Sequence, residues 1–296
     1  MKDVKVINDD GYEFLFSPLG AALVYIRKDK LYFTRTAFFE KDFRLRRCFY
    51  GKTIGRSANR IRGNQVQIGD KIAYLDANEG DNVLHGGNDG LSNKYFNLRT
   101  VYNNDNIQIV FYFLSKDGES GYPGNLNVII TYTIQQKGIH LDVKYEAESD
   151  EDTLCNFTNH TYFTLGEKNI DNLFLQIDAD RYLDVDKDMI ASEIKPVTAV
   201  MDFRSIKRIG KDIDDEKINH DRLKGYDYFY YFNNLDINRC NVLLRNSEYQ
   251  LLIYTDFEGV QIYTSNFPEP YPLLPEVKDN FRDSIAIEPS DNHLDL

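Results

Sequence analysis

Several residue types and patterns are scarce or absent in this chain of 296 residues. It contains no tryptophan, and its three cysteines, Cys48, Cys155 and Cys240, are too far apart to indicate a disulfide framework or a zinc site. No apolar run is longer than a strand, so none predicts a membrane-spanning helix. The N-terminal residues lack the apolar core of a signal peptide. We therefore expect a protein of the reducing cytoplasm.

Basic residues are in deficit, with 35 Lys and Arg against 47 Asp and Glu and a net charge of −12. A surface of this sign repels phosphate backbones, which argues against a nucleic-acid partner. The phosphate-binding patterns GxGxxG and GxxxxGK[ST] and the serine-hydrolase pattern GxSxG are absent. No two histidines have the spacing of metal ligands, so we expect neither a metal nor another cofactor.

The pattern of β-strands, by contrast, is abundant. The chain has 21 Tyr and 19 Phe, which suit a pleated and half-buried surface. The segment 138–148 alternates strictly between apolar and polar residues, which predicts a strand with one apolar face. Turn-forming segments at 136–138 and 256–259 separate strand-like runs and predict antiparallel hairpins.

Signals for helices are confined to two short segments. One spans 202–213, where Asp202 is a candidate N-cap, and the other is a turn or two over 89–95. Strands do not alternate with helices, which argues against a doubly wound sheet or a TIM barrel. The chain also lacks a Pro-rich or Ser-rich linker and an internal repeat. We expect a single all-β domain over 1–296 with few short helices.

Six segments carry polar side chains that β-structure alone does not require, and four of them also contain glycine. They are 55–61, 82–87, 117–126, 156–163, 225–227 and 287–289. Each has a structural explanation beside a functional one. His85, beside two glycines, suits a turn, and His160 suits a buried hydrogen-bond network. Arg60, Asp227 and Glu288 suit an ion pair, a turn and a strand edge in that order.

Taken together and in order, these segments resemble the aldose 1-epimerase (galactose mutarotase) family. The matching blocks are GRSANRI, LHGG, DGESGYPGNL, NFTNHTYFTLG, GYD, TDFEGVQIYTSNF and IEP. They span residues 55–289, nearly the whole chain. The resemblance implies a large antiparallel β-sandwich of the galactose mutarotase type (a supersandwich), with a sugar bound in a cleft across one sheet.

The resemblance also implies an activity, the interconversion of α and β anomers of a free hexose of the galactose or glucose type. Ring opening needs a proton removed from the C1 hydroxyl and one delivered to the ring oxygen, which a carboxylate and an imidazolium can do without a cofactor. The roles implied by the matching motifs are His160 as general acid, Glu288 as general base, and Asn59, Arg60, His85, Asp227 and Gln261 as contacts to the sugar hydroxyls. The partner would be a monosaccharide, with neither nucleic acid nor membrane, and the protein a monomer or a homodimer.

The sequence departs from the family pattern at a few positions. Tyr228 follows Asp227 where the family commonly has histidine, so the pocket wall is expected to differ, and Ser290 follows Pro289 where glutamine is usual. The preferred aldose therefore stays open. Three other activities also remain open: a hexose-6-phosphate 1-epimerase, a non-catalytic sugar-binding protein with the same cleft, and a glycoside hydrolase that would use Asp227 and Glu288 as its carboxylate pair.

Overall fold

A computed structural model describes residues 2–103, 105–219, 223–275 and 281–292. These residues divide into two compact units, which are described one at a time. Unit 1 comprises the described residues of 2–31 and 40–160, and unit 2 those of 32–39 and 161–292. The expectation of a single domain stays a prediction. Within the described ranges, no helix is long and apolar enough to cross a membrane.

Unit 1 is built from short antiparallel sheets. Its strands are β1 (Val4–Ile7), β2 (Tyr12–Ser17), β3 (Ala22–Lys28), β4 (Leu31–Tyr32, at the boundary of the unit), β6 (Thr53–Ile54), β7 (Arg60–Ile61), β8 (Gln65–Ile68), β9 (Lys71–Tyr74), β10 (Val83–Leu84), β11 (Asn97–Tyr102), β12 (Asn106–Ser115), β13 (Leu126–Gln135), β14 (Leu141–Ser149) and β15 (Thr158–Asn159). Its helices are α1 (Glu40–Phe43) and the 3₁₀ turns Leu91–Asn93 and Glu119–Gly121.

The two larger sheets of unit 1 are β1-β2-β3 and β11-β12-β13-β14, and strand pairs β7-β10, β6-β15 and β8-β9 accompany them. Phe16 of β2 and Tyr132 of β13 pack against each other with ring centroids 5.0 Å apart. The Tyr132 hydroxyl donates a hydrogen bond to the Ala21 carbonyl at 2.8 Å. Because both rings are wholly buried, the two sheets share one apolar core in this unit.

Unit 2 is a two-sheet sandwich. Its strands are β5 (Thr34–Ala37), β16 (Tyr162–Phe163), β17 (Phe174–Ile177), β18 (Arg181–Val185), β19 (Ala191–Pro196), β20 (Lys207–Arg208), β21 (Asp227–Tyr231), β22 (Val242–Arg245), β23 (Gln250–Ile253), β24 (Gly259–Tyr263), β25 (Leu273–Leu274) and β26 (Ile285–Ser290). Its helices are the 3₁₀ turns Ile170–Asn172, Ala199–Met201 and Ile209–Lys211. The strand orders are β19-β18-β21-β24-β26-β16-β5-β25 and β20-β17-β22-β23.

The core of unit 2 lies between these sheets. Leu175 and Leu244 of the smaller sheet join Tyr230, Ile262 and Ile287 of the larger sheet in one buried cluster. Side chains of a strand alternate between its faces, so the intervening residues of β21, β24 and β26 lie on the other face of the larger sheet. This alternation places the polar residues described below.

The short helix predicted over 202–213 is confined to the 3₁₀ turn Ile209–Lys211, and Asp202 is not its N-cap. Asp202 instead ends the 3₁₀ turn Ala199–Met201, and its carboxylate accepts a hydrogen bond from the Arg204 side chain at 3.0 Å. β20 pairs with β17, and Ile209 is wholly buried in the core. Strand pairing and burial therefore override the local helical preference. The shorter prediction over 89–95 is confirmed by the 3₁₀ turn Leu91–Asn93.

One predicted hairpin is confirmed and one is wrong. β13 and β14 pair across the turn at 136–138, as predicted. The strands on either side of 256–259 do not pair, because β23 adds to β22 in one sheet while β24 adds to β21 and β26 in the other. The turn therefore carries the chain from one layer of the sandwich to the other. Turn-forming residues mark a change of direction but not which neighbour the next strand chooses.

Candidate functional site

Two of the predicted site residues in unit 1 bind each other through the backbone. The His85 amide donates to the Asn59 carbonyl at 3.1 Å, and the Asn59 amide donates to Nδ1 of His85 at 3.3 Å. Both residues have positive φ, 63° for Asn59 and 52° for His85. Gly86 lies so close to Gly55 in space that a Cβ on Gly86 would be 2.1 Å from the Gly55 carbonyl oxygen. The glycine after His85 is thus required by the approach of two backbone segments.

His160 lies in the same group of unit 1. The ring centroids of His85 and His160 are 5.3 Å apart, and the two rings are nearly perpendicular. Phe49 contacts both, with centroid distances of 4.8 Å to His85 and 5.7 Å to His160. Phe49 itself is half-buried. An aromatic ring therefore fixes the orientation of both imidazoles, and its exposed part offers an apolar surface beside them.

The backbone holds His160 on both sides. Its amide donates to the Lys52 carbonyl at 2.9 Å, and its carbonyl accepts from the Gly51 amide at 2.9 Å. The side chain of the preceding Asn159 donates to the Gly51 carbonyl and to the Tyr132 hydroxyl, each at 3.0 Å. His160 is buried, and the burial lowers the pKa of its imidazole to about 3.

Arg60 is held by a carboxylate that no sequence motif indicated. Its Nε donates to Glu79 at 2.6 Å, and its terminal nitrogen donates to the other Glu79 oxygen at 3.3 Å. Arg47 contacts the same carboxylate at 3.1 Å. Burial alone would raise the pKa of Glu79, but the hydrogen bonds and charges of Arg60 and, to a smaller degree, Arg47 outweigh it and lower that pKa below its usual value. The forked contact fixes the plane of the Arg60 guanidinium.

Three further predicted site residues lie on one face of the larger sheet in unit 2. Gln261 of β24 is directly opposite Glu288 of β26. Gln261 is also opposite Phe229 of β21, two residues beyond Asp227 and on the same face. The Gln261 amide donates to the Asp227 carboxylate at 2.6 Å. The sheet therefore brings Asp227, Gln261 and Glu288 together in one polar row.

Glu288 is buried, with 3% of its surface exposed. Burial first, and the nearby negative charge of Asp227 second, raise the pKa of Glu288 well above the usual range of a carboxyl group. A carboxylate in this setting is a stronger base than one in water. The row thus combines a basic carboxylate, a second carboxylate and an amide.

Tyr228 does not belong to this row. It faces the core with 4% of its surface exposed, and its ring packs edge-to-face on Tyr182 at 5.7 Å. Its hydroxyl donates to the Lys217 carbonyl at 3.4 Å. Because Tyr228 and Asp227 are adjacent in a strand, they point to opposite faces. The departure from the family pattern at 228 therefore falls in the core rather than on the face that carries Asp227.

The sequence model of the family described as "Aldose 1-epimerase" matches residues 2–293. The chain belongs to the aldose 1-epimerase family. This family member is 35% identical over 226 residues to the galactose mutarotase of Homo sapiens, and 33% identical over 230 residues to the aldose 1-epimerase of Escherichia coli K12. Both alignments cover 74% of this chain but only 63% and 64% of the respective relative. The chain therefore matches less than two thirds of the length of these curated relatives.

A solved structure shows the same fold for this aldose 1-epimerase family member. The galactose 1-epimerase from Lactobacillus acidophilus NCFM superposes with a TM-score of 0.89 and 28% sequence identity. The superposition covers 99% of this chain and 86% of that one. The predicted all-β sandwich of the galactose mutarotase type is confirmed, and so is the resemblance stated from the motifs.

Two residues of the candidate site were missed by the sequence reasoning. Glu79 lies in the segment Asn78-Glu79-Gly80, whose composition indicates only a turn. Phe49 is one of 19 phenylalanines and belongs to no matching block. Neither carried a local signal, since the relation of each to Arg60 or to the two histidines arises only when the chain folds.

Proposed function

We propose that this protein is a cofactor-independent aldose 1-epimerase that interconverts the α and β anomers of a free hexose of the galactose or glucose type. The observation that carries the proposal is the buried Glu288 carboxylate, whose pKa is raised, in a row with Gln261 and Asp227. Membership of the aldose 1-epimerase family supports the same reaction.

The proposed reaction begins with removal of a proton from the C1 hydroxyl by Glu288. The freed electron pair forms the C1 carbonyl, the bond from C1 to the ring oxygen breaks, and the ring oxygen takes a proton from His160. The open-chain aldehyde turns about its C1–C2 bond. Closure then reverses each proton transfer, so the reaction consumes no proton and requires no redox partner.

The shifted pKa values make the reactive protonation state of the two groups rare, but they make His160 a strong acid and Glu288 a strong base in that state. At neutral pH, burial holds the His160 imidazole neutral in the ligand-free protein, because its pKa is about 3. The state with an ionised Glu288 and a protonated His160 is therefore the minor one of the two states that carry a single proton. In that state, however, the low pKa of His160 favours donation of its proton, and the raised pKa of Glu288 favours acceptance of one.

The remaining residues of the candidate site are proposed to hold the sugar hydroxyls. Because the Asn59 amide donates to Nδ1 of His85, the neutral His85 ring carries its proton on Nε2, which suits donation to a hydroxyl oxygen. Arg60, oriented by Glu79, donates from a fixed plane. Asp227 accepts from hydroxyls, and Gln261 can do either. Hydrogen bonds of this kind discriminate one sugar from another more sharply than an apolar surface does.

The partner proposed for this activity is a single monosaccharide, and galactose is the first candidate because relatives carry the name galactose mutarotase. The net charge of −12 supports a partner that is neither a nucleic acid nor an anionic membrane. We further propose that the protein works in the cytoplasm, as a monomer or a homodimer.

Polarimetry tests the proposal directly. The optical rotation of freshly dissolved α-D-galactose or α-D-glucose should relax faster with the wild-type protein than with buffer. A rate that stays at the buffer value for both sugars, while either sugar binds in calorimetry, would instead indicate a sugar-binding protein. Acceleration confined to glucose 6-phosphate would indicate the phosphosugar epimerase.

A further inference from the structure

The strand β14 has features of an interface that the candidate site does not use. It is the last strand in the order β11-β12-β13-β14, and the described residues place no strand on its outer side. The apolar row that its sequence predicts is only partly covered. Leu141 and Tyr145 are half-buried, and the Tyr145 ring packs against Phe157 with centroids 5.9 Å apart. Ile139, just before the strand, is 47% exposed, and Val143 is 36% exposed. An uncovered strand edge with an adjacent apolar row is a template for another strand.

The hydrogen-bond pattern shows which residues present this edge. The Gln135 amide donates to the His140 carbonyl at 3.2 Å, and the register from Ile134↔Leu141 onward is unbroken. Residues of an antiparallel pair alternate between bonding to the neighbour and facing away from it. Even-numbered residues of β14 therefore bond to β13. Odd-numbered residues such as Leu141 and Val143 direct their N–H and C=O groups to the outer edge.

The charges of β14 are self-complementary in one antiparallel register. If Val143 faces Val143 of a second copy, Asp142 faces Lys144 on both sides of the axis. His140 then faces Glu146, again twice. On the other face of the strand, Leu141 meets Tyr145 and Ile139 meets Ala147. Opposite charges and apolar pairs directly across two strands both stabilise the pairing.

Two neighbouring registers place like charges opposite each other. With the axis at Lys144, that lysine faces its own copy and Asp142 faces Glu146. With the axis at Tyr145, Lys144 faces Glu146, but Asp142 faces Glu148, so each favourable pair is accompanied by a like-charge pair. Like charges directly opposite each other destabilise a strand pair. Within a single copy, Lys144 pairs with Glu146 at 2.9 Å and His140 with Asp142 at 3.1 Å, so both signs already lie side by side on this face.

We propose that two copies of this protein associate through β14, antiparallel and with the two-fold axis at Val143. The two four-stranded sheets then form one continuous sheet across the axis. The main-chain groups of Leu141 and Val143 supply hydrogen bonds, and the charge pattern sets the register. The association rests on unit 1 alone and does not depend on the proposed activity.

A charge exchange tests both the interface and its register. In sedimentation velocity of the full chain, the wild type should dimerise with rising concentration between micromolar and near-millimolar. Lys144→Asp and Asp142→Lys should each raise the dissociation constant of the dimer about tenfold, because each creates two like-charge pairs across the axis. The double variant Asp142→Lys/Lys144→Asp should restore dimerisation, since it exchanges the charges and keeps them complementary.

Lys71→Asp is the matched control, because Lys71 forms another exposed ion pair of unit 1, with Glu151 at 2.9 Å. It should dimerise like the wild type, and circular dichroism should show every variant folded. A wild type that stays monomeric throughout overturns the proposal. So does a dimer that either single reversal leaves intact, or a double variant that does not recover.

Discussion

The Gln261 amide donates a hydrogen bond to the Asp227 carboxylate, with Nε2 2.6 Å from Oδ1. This contact joins β24 to β21, while Gln261 also lies opposite Glu288 on β26. The contact holds the negative charge of Asp227 near the carboxylate of Glu288, which is buried. The sheet therefore raises the basicity of Glu288 by its strand register, without any element dedicated to that task.

The first prediction concerns the proposed base. Glu288→Gln keeps the size and polarity of the side chain but cannot take a proton. We expect the enzyme-catalysed relaxation of galactose rotation to fall by about 10²- to 10⁴-fold. Glu193→Gln, an exposed carboxylate of the same sheet, serves as control and should keep wild-type activity. If Glu288→Gln retained that activity as well, the base would have to be another group.

The second prediction concerns the pH dependence of kcat/KM. With the pKa of His160 at about 3 and that of Glu288 raised, the fraction of competent protein is constant between the two pKa values. We expect a plateau that ends, on the basic side, at a pH above the usual range of a carboxyl group, where Glu288 loses its proton. Asp227→Asn removes a cause of the raised pKa, so the basic limb should move to lower pH. An unmoved limb would contradict the role of Asp227 in that shift.

The third prediction concerns stability. His160 binds a proton more weakly in the folded protein than in the unfolded chain, whose imidazole has a pKa near 6.5. The unfolded state therefore binds more protons between pH 6.5 and about 3, so the free energy of unfolding falls as pH drops through that window. His160→Asn should flatten this fall in urea titrations at several pH values. A slope that is the same in wild type and His160→Asn would contradict this assignment.

The fourth prediction concerns the orientation of Arg60. Glu79→Gln removes the charge that holds the guanidinium, so we expect kcat/KM to fall about tenfold, mainly through KM. The stability of the protein should change little. Arg47→Gln is the control, because Arg47 contacts the same carboxylate while 66% of its own side chain is exposed. Equal losses from both variants would mean that Glu79 does not act through Arg60.

The fifth prediction concerns Tyr228. Replacing it with the residue common in the family, Tyr228→His, places a smaller polar ring in the core and should cost about 2 kcal/mol of unfolding free energy. Tyr228→Phe, which loses only the long hydrogen bond to Lys217, should cost less than about 1 kcal/mol. The ratio of galactose to glucose activity should stay the same in both. A changed ratio would place Tyr228 in sugar recognition after all.

Much of the fold could be predicted from local patterns, and the failures have one cause. Alternation and aromatic content indicated an all-β protein, and the hairpin at 136–138 followed from its turn residues. The helix predicted over 202–213 is reduced to three residues because β20 pairs with a distant strand, and the hairpin predicted at 256–259 is wrong because β24 pairs with strands far away in sequence. Local propensity contains no information on such pairings.

The sequence by itself determined the family and the identity of seven candidate site residues, because the order of the motifs along the chain can be recognised without knowing the fold. Only the tertiary structure decided which residues each of them contacts and how deeply each is buried. Strand register put Gln261 opposite Glu288, folding brought Glu79 to Arg60, and burial lowered the pKa of His160. The same holds for β14, for which the sequence predicts one apolar face. Its place at the sheet edge leaves that face half-exposed, since exposure depends on which neighbours a strand has.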